Sequence, residues 1–381
     1  MVQQEDITYV ISDPNSGSMI LASKILEGIR AAAEKNRMTV AFVNSPGQIG
    51  PPTKVKAAIV VGVKKSWVRG TIQQLRSVGL KPVLAGAEKA DFGSDVSGAG
   101  FARQTLVEDL VKYFFYAGRR RLASLGNESV DVNDAERIRA FINTVHSLGM
   151  SVDEGDIYTF DRGSQSCMQA FLENVHRYDG VICVNDYVAI QLIRMLNEQG
   201  VSVPEKLFVA GSGDMFLGKC ITPSLTTTTL DYYNIGIQSV NICRMLDQDA
   251  SIDTVSIMVP SKLVCRASTG YETPPPPAKV IQSMPAAALA PKREDPVYWL
   301  KTLEDCLQQC DQLDYRILQG TLGDLSTDQL AEQVFVAPGT VQYRLKKLYE
   351  AVGVKTKKEL IEATRPYLCN LEALISPSES L

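Results

Sequence analysis

Over the first two-thirds of the chain, short apolar runs alternate with longer amphipathic stretches. At residues 8–11, 40–43, 57–61, 82–85, 122–125, 180–184 and 207–211, β-branched or other apolar residues are bounded by Gly, Pro, Asn or Asp. Runs this short and this continuously apolar suit strands buried on both faces of a parallel sheet. Between them, residues 19–33, 106–116, 135–148 and 188–199 repeat with helical periodicity; in the first, Leu21, Ile25 and Ile29 share a face. Strand alternating with helix predicts an α/β region of parallel sheets.

That rhythm stops at Thr273-Pro-Pro-Pro-Pro277, and Ala/Pro-rich sequence continues to about Pro291. The division expected is an α/β region over 1–272, a semi-rigid linker over 273–293, a helical module over 294–375 and a disordered polar tail over 376–381. The module opens on a helix from Pro296 to Gln312, with Leu300, Leu303, Leu307 and Cys310 recurring at three and four.

At 381 residues the chain is long enough for two or three compact units with ample core. No apolar run reaches the roughly 20 residues that span a bilayer, and the opening residues lack the regions of a signal peptide, so a cytoplasmic location is expected. The eight cysteines fall mostly inside apolar stretches and suggest buried thiols; Cys306 and Cys310, four apart, suit core packing or a metal or redox pair. No catalytic residue, metal or cofactor is expected. His146 and His176 stand in no triad order, and no phosphate-binding glycine loop, dinucleotide fingerprint or His-Glu-x-x-His occurs. Lys and Arg total 39 against 43 Asp and Glu, a net −4, so any contact with nucleic acid must be local.

Gly180-Val-Ile-Cys-Val-Asn-Asp-Tyr-Val-Ala189, Val203-Pro-Glu-Lys-Leu-Phe-Val-Ala-Gly211 and Thr222-Pro-Ser-Leu-Thr-Thr227 resemble, in order and spacing, the effector domains of the LacI/GalR family. Gly118-Arg-Arg-Arg-Leu-Ala123 and Arg137-Ile-Arg-Ala-Phe141 are similar to two further family motifs, and the likeness runs from about Ile7 to Gly270. It implies a two-lobed periplasmic-binding-protein-like receptor with a small molecule in the cleft between its lobes. It also implies ligand-binding roles for Asp13 at the end of the first strand, Arg137 as a guanidinium fork, Asn185 as donor and acceptor, Asp214, and Tyr232 as an aromatic wall. Asn185-Asp186 equally suits a helix cap, Arg137 a solvated helix face and Tyr232 simple packing. The family's Gly-Phe/Tyr-Asp-Asp is here Gly211-Ser212-Gly213-Asp214, with Gly213 replacing an acidic acceptor of sugar hydroxyls. The effector is therefore a sugar or another metabolite, such as a nucleobase or phosphate ester.

In the helical module, Asp324 to Gly353, continuing through Lys358-Glu-Leu-Ile361, resembles a LuxR-type helix-turn-helix. Ser326 suits the N-cap of a first helix with Leu330, Ala331 and Val334 inward, and residues 335–339 make the turn. In the second helix Val341, Leu345 and Leu348 form the inner stripe. The resemblance implies that Thr340, Gln342, Tyr343, Arg344, Lys346 and Lys347 face double-stranded DNA. Seven basic residues, Arg344, Lys346, Lys347, Lys355, Lys357, Lys358 and Arg365, meet only Glu350, Glu359 and Glu362 between 334 and 365. LacI-type repressors place the reading head first; here it follows the receptor. The function expected is a transcription regulator, acting as a homodimer and controlled by a small-molecule effector. The alternative is a receptor whose helical module binds a protein. The stripe on Leu300, Leu303, Leu307 and Cys310 suits either the module's core or a dimer interface.

Overall fold

The structure, a computed structural model, describes residues 7–13, 19–49, 55–62, 64–87, 92–128, 132–271 and 296–371; the expected linker and polar tail lie outside them. Twelve strands are described: β1 (Ile7–Ser12), β2 (Thr39–Val43), β3 (Ala57–Val61), β4 (Lys81–Ala85), β5 (Ser97–Phe101), β6 (Leu122–Asn127), β7 (Ile157–Thr159), β8 (Gly180–Cys183), β9 (Phe208–Ala210), β10 (Thr227–Thr228), β11 (Ser256–Val259) and β12 (Leu263–Val264). The α-helices in the first two-thirds are α1 (Met19–Lys35), α2 (Lys65–Ser77), α3 (Arg103–Tyr116), α4 (Val132–Ser147), α5 (Ser164–Glu173), α6 (Asp186–Glu198), α7 (Leu217–Cys220) and α8 (Tyr232–Gln248). They are followed by α9 (Pro296–Gln308), α10 (Gln312–Leu322), α11 (Thr327–Val334), α12 (Pro338–Val352) and α13 (Lys357–Thr364). Among the described residues no helix is long and apolar enough to cross a membrane.

The chain divides into two compact units. Unit 1 takes Met1–Leu106, Val130–Arg137 and Leu230–Lys262. Its sheet runs β11-β5-β4-β3-β1-β2, every pairing parallel. The central strand β3, Ala-Ala-Ile-Val-Val, is buried along its whole length, as a strand covered on both faces must be. Helices α1 and α8 pack in close backbone contact, and two glycines make this possible. A Cβ on Gly28 would lie 2.0 Å from the Tyr233 carbonyl oxygen, and one on Gly236 would lie 2.1 Å from that of Ile25.

Unit 2 takes Val107–Ser129, Ile138–Thr229 and Leu263–Leu381. Its main sheet runs β7-β6-β8-β9, all parallel, beside an antiparallel pair, β10 with β12. Arg119, Arg120 and Arg121 lie where β6, β8 and β9 begin. Arg119 lies 3.8 Å over the Phe208 ring, and the amides of Arg120 and Arg121 donate to Asp179 Oδ1.

The helices after residue 295 belong to the same unit, although sequence alone sets them apart behind a linker. One apolar cluster runs without a break from Val188, Leu192 and Leu196 of α6 to Leu300, Leu303 and Leu307 of α9, and on to Leu330, Val341 and Leu345. Polar contacts reinforce it: Tyr367 Oη donates to Gln191 Oε1 at 3.0 Å, and the Asn370 amide donates to the Cys220 carbonyl at 3.0 Å. The leucine stripe of α9 is thus spent inside the unit, which removes it as an open dimer face.

Because the α1–α8 contact is backbone against backbone, Gly236→Ala is expected to destabilise the fold by about 3 kcal/mol, the upper end of overpacking effects. Gly70→Ala, at a site in α2 with open space and no left-handed φ, serves as the control for added volume. Urea unfolding that moves Gly236→Ala by less than the control would refute the close-packing account.

Candidate functional site

In unit 1 the candidate side chains come from a strand end and two helices, with Arg137 within α4. Asp13 follows β1, is buried, and its amide donates to the Val61 carbonyl at 2.9 Å. Tyr232 opens α8 and packs edge-on against Phe101 at 5.1 Å between centroids. Burial pushes its phenol above the usual value, while the guanidiniums of Arg103 and Arg137 oppose that shift. Arg103 donates to the Gly86 carbonyl at 3.0 Å, and Arg137 forms an ion pair with Asp134 at 3.1 Å. The structure thus brings the guanidiniums of Arg103 and Arg137 near the Tyr232 phenol. Arg103 is a residue that sequence reasoning did not single out; only its position just past a strand end marks it.

In unit 2, Asn185 and Asp186 follow β8. Asn185 is the N-cap of α6, its side chain accepting from the Val188 amide at 3.0 Å. Asp186 is fully buried. One oxygen accepts from Thr227 Oγ1 at 2.5 Å and the other from the Met215 amide at 2.6 Å. Gly211 makes this approach possible, since a Cβ there would lie 2.3 Å from Asp186 Oδ1. Asp214, at φ 49°, pairs with Arg266 at 2.5 Å, so its carboxylate already has a cationic partner inside the unit. Burial raises the Asp186 carboxyl to about 7, against the hydrogen bonds from Thr227 and Met215 that favour its charged form. Sequence reasoning weighed Asp186 only as a cap; the structure makes it the acceptor that organises the end of the sheet.

Among the C-terminal helices, Ser326 caps α11 with a reciprocal Gln329 contact, and Leu330, Ala331 and Val334 face inward as expected. Phe335 ends α11 in the left-handed region, at φ 58°. Helix α12 begins at Pro338, so the turn is shorter than the expected 335–339. Proline suits a first helical position because the amide it lacks has no partner there. Val341, Leu345 and Leu348 are buried, whereas Gln342, Tyr343, Lys346 and Lys347 are exposed and Thr340 is half-buried.

Arg344 departs from the outward role expected of it. Its guanidinium reaches Asp311 at 2.5 Å and Asp314 at 2.9 Å, the two residues of the capping box that opens α10. One position before buried Leu345, it turns toward α10 and fastens α12 to that helix. The nearby guanidinium holds the Asp311 carboxyl below its usual range. Lys357 and Arg365 are also engaged internally, donating to the carbonyls of Leu325 and Leu322.

Comparison with known proteins agrees with the α/β part. The periplasmic binding protein-like domain pattern matches residues 111–269. The arabinose metabolism transcriptional repressor of Halalkalibacterium halodurans is 29% identical over 188 residues, covering 42% of this chain and 50% of its own. The HTH-type transcriptional repressor CytR of Escherichia coli K12 is 26% identical over 170 residues, covering 43% and 49%. The chain therefore spans about half the length of the curated relatives it matches. Of solved structures, the transcriptional regulator CelR–cellobiose complex aligns with a TM-score of 0.60 at 18% identity, covering 69% of this chain and 84% of that one. Transcription regulator CcpA of Lactococcus lactis aligns at 0.56 and 16%, covering 70% and 100%. The chain contains an α/β, two-lobed periplasmic-binding-protein-like domain with parallel sheets. Its homologues are LacI-family transcriptional repressors, proteins that regulate rather than catalyse.

The raised Asp186 carboxyl has a consequence for stability. An unfolded aspartate titrates near about 3.9, so between that value and about 7 the folded chain holds a proton that the unfolded chain has released. This contribution is fully present below the unfolded value and is lost as pH rises through about 7. Asp186→Asn is expected to flatten that part of the profile, followed as urea midpoints between about pH 4 and 8. An unaltered slope would assign the titration elsewhere.

Proposed function

We propose that the chain is a cytoplasmic transcription regulator, not an enzyme, which binds double-stranded DNA through α11 and α12 as a LuxR-like helix-turn-helix and answers to a small-molecule effector held by its receptor part. The observation that carries the DNA reading is the face of α12. An apolar stripe is buried against its neighbours, while Gln342, Tyr343, Lys346 and Lys347 stand exposed on one short helix. A glutamine can pair with adenine through two hydrogen bonds, and the lysines can reach guanine or phosphate. Thr340 stands at the helix start, where backbone amides favour a phosphate. Arg344 is left out of this set because its charge is met by Asp311 and Asp314.

The effector contacts proposed are Asp13, Arg137 and Tyr232 from unit 1 and Asn185 and Asp214 from unit 2. The pairing of Asp214 with Arg266 and the presence of Gly213 weaken the receptor's capacity to accept from sugar hydroxyls. The known complex of CelR with cellobiose supports a receptor of this fold that holds a small molecule. Domain limits of 1–272, 273–293, 294–375 and 376–381 fit the change from α/β to all-helical sequence. A homodimer would present two reading heads to two half-sites.

Selection of the full chain against random duplex DNA at two salt concentrations, with and without a metabolite library, tests this. Enrichment that falls with salt and shifts with one metabolite is the expected result. Absence of enrichment under every condition would turn the helices into a protein-binding module. On a selected duplex, Lys346→Gln with Lys347→Gln is expected to lower the salt slope by about 2, close to one per lost phosphate contact. Arg344→Gln should instead lower the melting temperature with little change of slope.

A further inference from the structure

Three consecutive amides after β9 donate to carboxylates that lie outside their own segment. Met215 donates to Asp186 Oδ2 at 2.6 Å. Phe216 and Leu217 donate to Glu304 Oε1 and Oε2, each at 2.8 Å. Glu304 lies on α9, is wholly buried, and is flanked along its helix by Leu300, Leu303 and Leu307. Gln308 Nε2 donates to the same Oε1 at 3.0 Å.

Among leucines, packing alone would be served by another apolar residue. A buried carboxylate is costly to desolvate and is tolerated only when hydrogen-bonded. What it adds is register. Apolar contacts slide at small cost, whereas two oxygens on two adjacent amides define one position of α9 along the receptor. The segment so held also carries Asp214 with its Arg266 partner, and its other side is fixed by Asp186, which Thr227 supports. Beyond α9, Trp299 Nε1 donates to the Val352 carbonyl at the end of α12, at 3.4 Å. The Leu307 carbonyl accepts from Tyr315 of α10 at 2.5 Å, and α10 is tied to α12 by Arg344.

We propose that Glu304 is a positioning residue that couples the receptor to α12: it fixes α9 to residues 215–217, so that a change at the strand ends of unit 2 reaches the face of α12. This deepens the regulatory reading above and rests on it only for the DNA-binding arm of the test.

The test is a cycle on the full chain with Thr227→Val, Glu304→Gln and the two together. Thr227→Val removes the hydroxyl that supports Asp186 while keeping a β-branched residue in β10. Amide hydrogen exchange is followed at residues 215–217 and along α12, together with dissociation constants for a selected duplex at fixed salt. Glu304→Gln keeps one acceptor and loses the other, and is expected to speed exchange about ten-fold at whichever of the Phe216 and Leu217 amides loses its acceptor, near the loss of one hydrogen bond. Thr227→Val is expected to change exchange along α12, and duplex affinity several-fold, in the native background and by less than two-fold beside Glu304→Gln. Equal effects of Thr227→Val in both backgrounds would overturn the proposal, as would unchanged exchange at 216–217. Were no duplex bound by any form, the regulatory reading would fail while the exchange arm still decided the coupling. Should Glu304→Gln not fold, Glu304→Asp, which keeps the charge and cannot span both amides, takes its place in the same cycle.

Discussion

A helix that begins inside a protein leaves its first backbone amides without partners in the helix, and buried amides must find acceptors. In unit 2 the amides of residues 215–217 lead into the short helix α7 beyond β9, and their acceptors are two buried carboxylates, Asp186 and Glu304. Asp186 can approach because position 211 has no side chain. Its second oxygen fixes Thr227 at the start of β10, and β10 pairs with β12. The same requirement sets the path of the chain beyond β9 and brings α9 against it.

Seen this way, the C-terminal helices are not a bead on a string. Their attachment to the receptor is an apolar cluster continuous with the receptor's own core, pinned by Glu304, Tyr367 and Asn370. In the LacI pattern the reading head precedes the receptor; the head proposed for this chain follows it, and the route between them would be built differently. A proline-rich segment is a poor transmitter of small displacements, while a packed helix with defined hydrogen-bond register is a good one. On the proposed regulatory reading, the α9 contact is the route by which such a head would respond to the receptor.

Much of the fold was legible in sequence because its signals are local. β3 is read from five apolar residues in a row, α11 from the Ser326 cap, and the inner stripe of α12 from its three-and-four spacing. The strands that escaped notice are those whose pairing is tertiary. β5 is Ser-Gly-Ala-Gly-Phe, without a β-branched residue, and is held by β4 and β11; β11 itself is a four-residue, mostly exposed edge strand, Ser-Ile-Met-Val, paired only with β5; β7, β10 and β12 span only two or three residues. Candidate site residues fared according to what their side chains meet. Gln342, Lys346 and Lys347 point outward because helical periodicity alone decides it. Arg344 could not be placed, because its partners lie 30 and 33 residues away. Glu304 sits between leucines in the sequence, and nothing local announces that its oxygens receive the amides of residues 216 and 217.

On the proposed DNA-binding role, the inward turn of Arg344 also alters the electrostatics of α12. Of the seven basic residues between 334 and 365, Arg344, Lys357 and Arg365 spend their hydrogen bonds inside the protein, and Lys358 lies 3.8 Å from Glu362. Lys346, Lys347 and Lys355 are the exposed basic residues whose charge is not met in this way. Each phosphate neutralised by a cation contributes about 0.9 to the salt slope, so a single head with two or three such lysines gains only modest affinity. The chain as a whole carries −4 and adds no general attraction. Useful occupancy of a site then requires either strong base reading from Gln342 and Tyr343 or a second head on the same duplex, and two heads multiply a weak contact without any new one. The pinned attachment of α9 matters most in that second case, because the spacing of two heads controls binding only when each is held rigidly to its receptor.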